Sequence, residues 1–139
     1  MSEYDFFISH SHRDRVWASA LVSSLKKRGF RVWWASHDIR ARSEWPEIVK
    51  SALKSSTFVV TLLDPRDPER PNILFEAGMA IALGKRVALL VPPSRAKASP
   101  ITLREHGRVL QRKTPASSAS DLIKWAAGTR TSTTPPQSS

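Results

Sequence analysis

The sequence predicts an α/β fold, with a parallel five-stranded sheet and helices on both faces. Two observations predict it. Short apolar runs fit for buried strands lie at residues 4–9, 30–35, 57–63 and 86–91, with a fifth, shorter one at 108–111. Segments with helical signals separate most of them, and strand–helix alternation builds a sheet covered on both sides. The expected winding is the flavodoxin-like strand order 2-1-3-4-5, giving three layers.

The elements follow in order. Tyr4-Asp-Phe-Phe-Ile-Ser9 is apolar enough for a strand buried on both faces. Ser11-His-Arg-Asp14 resembles a capping box and opens a helix. Trp17, Leu21 and Leu25 share one face of it, and Gly29 stops it. Phe30 to Ala35 is the second strand; its Trp33 and Trp34 alternate, so one is expected in the core. Residues 36–44 form a polar loop holding His37, Asp38, Arg40 and Arg42. The part from Asp38 to Glu44 is expected to be mobile without ligand or self-assembly. Pro46 suits the first turn of the next helix, with Trp45, Ile48, Val49, Ala52 and Leu53 facing inward. The β-branched run from Thr57 to Leu63 is the third strand.

A loop rich in proline and charge, Asp64 to Pro71, leads to the segment that organises the chain. Asn72 to Lys85 reads as one helix, with Asn72 as N-cap and Gly84 as C-cap. It is apolar nearly throughout, which predicts burial on most sides. Glu76 is its one internal charge. A carboxylate there has two readings. It caps first-turn N–H groups or pairs with an arginine, or it has a chemical task, since buried acids mark sites. The helix N-terminus favours its ionised form and its apolar neighbours oppose it.

Arg86 to Val91 is the fourth strand, ended by Pro92-Pro93, and Arg108 to Gln111 the fifth. Ser120 to Ala127 is the last expected helix, closed by Gly128. The Ser/Thr/Pro-rich stretch 129–139 is expected to be a disordered tail or linker, which places one domain at 1–128. Such a linker also raises the expectation of a further domain or partner beyond Ser139.

Composition narrows the function. The 139 residues fit one domain, and the absence of cysteine excludes disulfides, thiolate catalysis and cysteine metal sites. No signal peptide and no apolar run near the roughly 20 residues that span a bilayer is evident. A cytoplasmic protein without a membrane partner is expected. The net charge of +10 is uneven: residues 95–139 carry 8 basic against 2 acidic side chains. Arg95, Lys97, Arg104, Arg108, Arg112 and Lys113 have no interleaved aromatics to stack bases, so nucleic acid is disfavoured against a solvated basic surface.

In the expected winding, ligands bind outside the C-terminal ends of strands 1 and 3. The loop after strand 1 brings Ser9, His10, Ser11, His12 and Arg13 there, and the helix after strand 3 brings Glu76. Two separate segments thus converge on one crevice. No Gly-x-Gly-x-x-Gly or Gly-x-x-x-x-Gly-Lys-Ser/Thr motif is present, so a phosphate-cradling glycine loop is not expected. His10 and His12 lack a third ligand, and no metal is expected.

These residues carry a resemblance. Tyr4-Asp-Phe-Phe-Ile-Ser-His-Ser is similar to the first box of Toll/interleukin-1 receptor (TIR) domains. Gly29-Phe-Arg-Val, the segment from Asp38 through Trp45-Pro-Glu-Ile-Val-Lys-Ser-Ala-Leu, and Ser56-Thr-Phe-Val-Val-Thr-Leu are similar too. The resemblance covers roughly residues 3–128. Ser43 stands where the family usually has a glycine, a departure that bears on the shape of that loop. Asn72-x-x-Phe-Glu-x-Gly resembles the NAD-cleaving bacterial branch rather than receptor adaptors. A similar Phe-Glu-x-Gly-x-Ala-x-x-Leu-Gly-Lys run occurs in nucleoside 2-deoxyribosyltransferases, where the glutamate is the nucleophile.

The resemblance implies the 2-1-3-4-5 fold and, in enzymatic members, cleavage of NAD⁺ between nicotinamide and ribose. It makes Glu76 the catalytic carboxylate. Ser9 and His10 fall where the first loop meets substrate, Trp45 where an aromatic contacts NAD⁺, and Asn72 at another substrate contact. Arg13 and Arg40 are candidates for the pyrophosphate. The expectation is a NAD⁺ glycohydrolase releasing nicotinamide and linear or cyclic ADP-ribose, a prokaryotic immune effector or signal generator. NAD⁺ is then a substrate and no cofactor is needed. The alternatives are a non-enzymatic module that self-associates through its TIR surfaces, and a deoxyribosyltransferase-like enzyme.

Overall fold

Residues 3–34, 44–64, 66–68, 70–92 and 107–131 are described by a computed structural model, 129–131 by backbone alone. Five strands form among them: β1 (Tyr4–Ser9), β2 (Val32–Trp34), β3 (Ser56–Leu62), β4 (Arg86–Val91) and β5 (Gly107–Gln111). They make one sheet in the order β2-β1-β3-β4-β5, and every neighbouring pair is parallel. The expected winding is therefore observed. The helices are α1 (Arg15–Lys27), α2 (Trp45–Lys54), α3 (Arg70–Ala82) and α4 (Pro115–Thr131). A short 3₁₀ turn, His12–Asp14, leads into α1.

The pleat divides the core in two, because successive strand residues point to opposite faces. Phe6, Ile8, Phe58, Val60, Leu62, Ala88 and Leu90 meet α1 and α4 on one face. Phe7, Val59, Val87 and Leu89 meet α2 and α3 on the other. Trp33 stacks on Phe7 and packs against the second core, and Trp34 packs against the first, both half-buried.

Two helix ends follow their glycines. At Gly84, φ is +76° and the Lys85 N–H reaches the Ala80 carbonyl; at Gly29, φ is +89° and the Phe30 N–H reaches the Leu25 carbonyl. Both are six-to-one closures that need a left-handed residue, which glycine supplies.

Other boundaries differ from expectation. α3 begins at Arg70, so Asn72 is not its cap but an exposed first-turn residue. Pro71 explains this: its fixed φ suits the start of a helix, and the Arg70 N–H closes a turn on the Asp67 carbonyl. α3 is also not buried on most sides, since Phe75 is 50% exposed. α4 starts at Pro115, where Thr114 caps it by accepting the Ser117 N–H at 3.2 Å. It then runs through Gly128 rather than closing there. The loop expected to be mobile, with Arg40 and Ser43, lies outside the described residues, apart from Glu44. The tail beyond Thr131 lies outside them too.

Candidate functional site

The strand alternation that divides the core also builds the site. Ser9 ends β1 two residues after Phe7, so it faces α3, and Thr61 sits opposite it in register on β3. α3 turns Ile73, Glu76, Ala77 and Ala80 toward the sheet. Glu76 is thereby fully buried among apolar side chains, a position that costs free energy unless hydrogen bonds compensate. The Ser9 hydroxyl donates to Glu76 Oε1, and Ser9 is itself fully buried. Glu76 is the seventh residue of α3, beyond the N3 position from which a capping-box carboxylate reaches back. The capping reading of the sequence is therefore not what the helix start supports. Thr61 Oγ1, also fully buried, has no hydrogen-bond partner among the described residues.

A second hydroxyl–carboxylate pair stands beside the first. Ser11 does not cap the helix as its sequence context suggests; its hydroxyl donates to Asp67 Oδ2. Both residues are buried. Asp14, the other half of the expected capping box, accepts from Arg112 at 2.9 and 3.3 Å. A long-range, charge-assisted partner has displaced a local one in each case.

The remaining expected residues distribute unevenly. His10 continues the alternation to the opposite face. Its ring lies 5.3 Å from Trp34, and its Nδ1–H donates to the Ser11 carbonyl at 2.8 Å. It is 2% exposed. Arg13 is exposed in the 3₁₀ turn. Trp45 opens α2, half-buried, with its ring edge-on to Phe75 at 5.9 Å. It therefore touches the residue next to Glu76. Arg40 lies outside the described residues. Ser9, Glu76 and Trp45 thus gather along α3, with Asn72 exposed in its first turn, while Arg13 stands exposed in the turn before α1.

Among the described residues two ion pairs, Asp64 with Arg66 and Asp14 with Arg112, stand at the strands' C-terminal ends. Arg66 donates side-chain and backbone N–H groups to Asp64, which holds that carboxyl below its ordinary value of 3.8 against the opposing effect of burial. Arg112, which binds Asp14, also lies 5.3 Å over the Trp17 ring. Among the described residues no three His, Asp or Glu side chains group to hold a metal ion. No helix among them is long and apolar enough to cross a membrane. A groove of about 650 Å³ between β5 and α4, lined by Arg108, Lys113, Lys124 and Trp125, does not include Glu76 in its walls.

The sequence matches the TIR domain family over residues 6–121. The chain is a TIR domain. That span runs from β1 into α4 and includes Ser9, Asp67 and Glu76. Solved structures agree on the fold. A TIR domain from the RPS4 and RRS1 heterodimer superposes with a TM-score of 0.68 at 14% identity, covering 91% of this TIR domain and 98% of that chain. The CMP N-glycosidase BcmB of Clostridium botulinum gives 0.64 at 16% identity, covering 87% and 99%. A response regulator receiver domain from Clostridium thermocellum gives 0.61 at 18% identity, covering 91% and 96%. No curated protein matches the sequence.

Proposed function

We propose that this TIR domain is a NAD⁺ glycohydrolase, releasing nicotinamide and linear or cyclic ADP-ribose as a prokaryotic immune effector or signal generator. The observation that carries the reading is Glu76: a fully buried carboxylate, held by Ser9, at the C-terminal end of β1 and β3. That is where an open α/β sheet binds its ligands.

The chemistry asks for one such group. Ordinary glycosides need a second carboxyl to protonate the leaving alcohol. In NAD⁺ the pyridinium nitrogen is already cationic. The C1′–N bond breaks with its electron pair going to that nitrogen, and nicotinamide leaves neutral without a proton. The ribose left behind carries the positive charge, and the Glu76 carboxylate stabilises it as it develops. Attack by water, with loss of a proton, gives linear ADP-ribose; attack by an adenine nitrogen of the same molecule gives the cyclic form. Ser9 orients the carboxylate, and Trp45 with Phe75 offers an aromatic wall beside it. In this reading NAD⁺ is substrate, not cofactor. Arg13, Arg40 and Asn72 are proposed to meet the phosphates and ribose as the substrate seats.

Because Glu76 is fully buried, the site has to open for substrate, which accords with activity that depends on self-association. The structural neighbour described as a TIR heterodimer is in keeping with such assembly. The neighbouring CMP N-glycosidase breaks the same class of bond on this fold. A protein at work in the cytoplasm, near its NAD⁺ pool, is the setting this reading requires.

Incubating the protein with NAD⁺ in dilute and crowded solution, and resolving the products by chromatography, tests the proposal. Nicotinamide with equimolar ADP-ribose is expected. Cleavage of nucleoside monophosphates or deoxynucleosides alone would move the assignment to the nucleoside-cleaving reading. No cleavage of any of them, with concentration-dependent self-association, would move it to a signalling module.

A further inference from the structure

The connection from β3 to α3 contains a buried carboxylate that the mechanism above does not use. Asp67 is 7% exposed. Its main chain is tied locally: its N–H donates to the Asp64 carbonyl at 2.9 Å, and its carbonyl accepts the N–H of Arg70, the first residue of α3, at 3.0 Å. Its side chain is tied across the crevice, accepting from Ser11. Ser11 lies two residues beyond Ser9, which donates to Glu76. The start of α3 and the end of β1 are therefore joined twice, once through Ser9 and Glu76 and once through Ser11 and Asp67.

We propose that Asp67 is a positioning residue that acts through Ser11, fixing the loop after β1 against α3 so that Ser9 meets Glu76 in the productive geometry. Two observations separate this from a simple cap. The Ser11 hydroxyl is drawn away from the local helix start, which it does not cap, to a partner 56 positions later. A buried carboxylate also costs free energy that an apolar residue at the same place would not, and its hydrogen bond to the loop offsets part of that cost. Without that bond nothing in the Ser11 side chain sets the height of Ser9 over the helix, and small misplacements at a reacting centre are expensive in rate.

The proposal rests on the NAD⁺ reading for its kinetic test and has a second readout that does not. The variants are Ser11→Ala, Asp67→Ala, Asp67→Asn and the double Ser11→Ala/Asp67→Ala. Each is measured for melting temperature, kcat and KM with NAD⁺ at a temperature where all are folded. The alanine variants are expected to lose roughly 10- to 100-fold in kcat with little change in KM. The double variant falls no further than the worse single one, because both break one link. Asp67→Asn keeps an acceptor for Ser11 and restores most of kcat. If Asp67→Asn is as impaired as Asp67→Ala, the carboxylate acts by charge and the positioning role is overturned. Full activity in Ser11→Ala overturns it as well. If Asp67→Ala does not fold, Ser11→Ala and Asp67→Asn decide between the same outcomes. If the wild-type protein leaves NAD⁺ intact, the NAD⁺ reading fails, and amide hydrogen exchange decides the positioning role. Faster exchange at residues 9–12 in Ser11→Ala, with β3 and β4 unchanged, sustains it; unchanged exchange at 9–12 overturns it.

Discussion

The Ser9 hydroxyl donates to the Glu76 carboxylate, joining the last residue of β1 to the second turn of α3 across 67 positions of sequence. The contact follows from two periodicities. A strand places Ser9 on the face of Phe7, and a helix places Glu76 on the stripe of Ile73 and Ala80.

Ser9→Ala removes one donor from a buried carboxylate and leaves the packing nearly intact. A buried polar group that loses a partner costs about 1–3 kcal/mol. The melting temperature is expected to fall by several degrees, and NAD⁺ turnover per folded molecule to fall with it. Thermal melts and nicotinamide release on one preparation check this. An unchanged melt would mean that Glu76 is held by its other neighbours alone.

Acid stability carries the mark of Asp64. Its carboxyl is held below 3.8, chiefly by the hydrogen bond from the Arg66 side chain. A depressed folded value contributes stability above the unfolded value, and that contribution is lost as pH falls through the folded one. Arg66→Gln should therefore melt slightly below wild type at neutral pH, with the two curves merging as pH drops below 3.8. Arg66 is largely exposed, so the difference is small and shrinks further in high salt. Melting curves from pH 7 downward at two salt concentrations measure it. A difference that widens toward low pH would contradict the sign.

Arg112 ties β5 to the start of α1 with two hydrogen bonds to Asp14 and a face-on contact with Trp17. Lysine keeps the charge but cannot reproduce the planar fork. Arg112→Lys is expected to destabilise the fold by about 1.5–3 kcal/mol, the range for a hydrogen bond to a charged group. Denaturant unfolding should show a lower midpoint at unchanged slope, and catalysis should hardly respond. A double-mutant cycle with Asp14→Asn should show the two losses overlapping rather than adding.

Much of this was legible before any coordinates. The strands of a doubly covered sheet are continuous apolar runs, so β1, β3 and β4 announce themselves, and their alternation with helices implies the winding. Glu76 was visible as a lone charge in an apolar helix. Asp67 was not, because an aspartate in a loop dense with proline and charge reads as solvated, and its burial beside Ser11 comes from residues distant in sequence. The contact of the His10 ring with Trp34 was hidden for a related reason, since it joins the loop after β1 to a strand 24 positions later. The start of α4 did have a local signal, Thr114-Pro115, a cap followed by proline at the first helical position. Lack of apolar periodicity in Ala116 to Ser120 hid it.

Glu76→Gln separates the two readings that the sequence left open for this side chain. The amide has nearly the same volume and can still accept from Ser9, but it carries no charge. If Glu76 stabilises a developing ribosyl cation, the loss falls mainly on the transition state, and kcat should drop on the order of 100–1,000-fold with little change in KM. Folding should survive, because a buried amide is cheaper to desolvate than a carboxylate. If Glu76 only ties α3 to β1, the pattern inverts: the melting temperature falls while turnover per folded molecule stays near wild type. Melting temperature and nicotinamide release from the same preparation distinguish the outcomes. A folded Glu76→Gln protein with undiminished turnover would remove the carboxylate from the mechanism and leave Ser9 and Glu76 as a purely structural clasp.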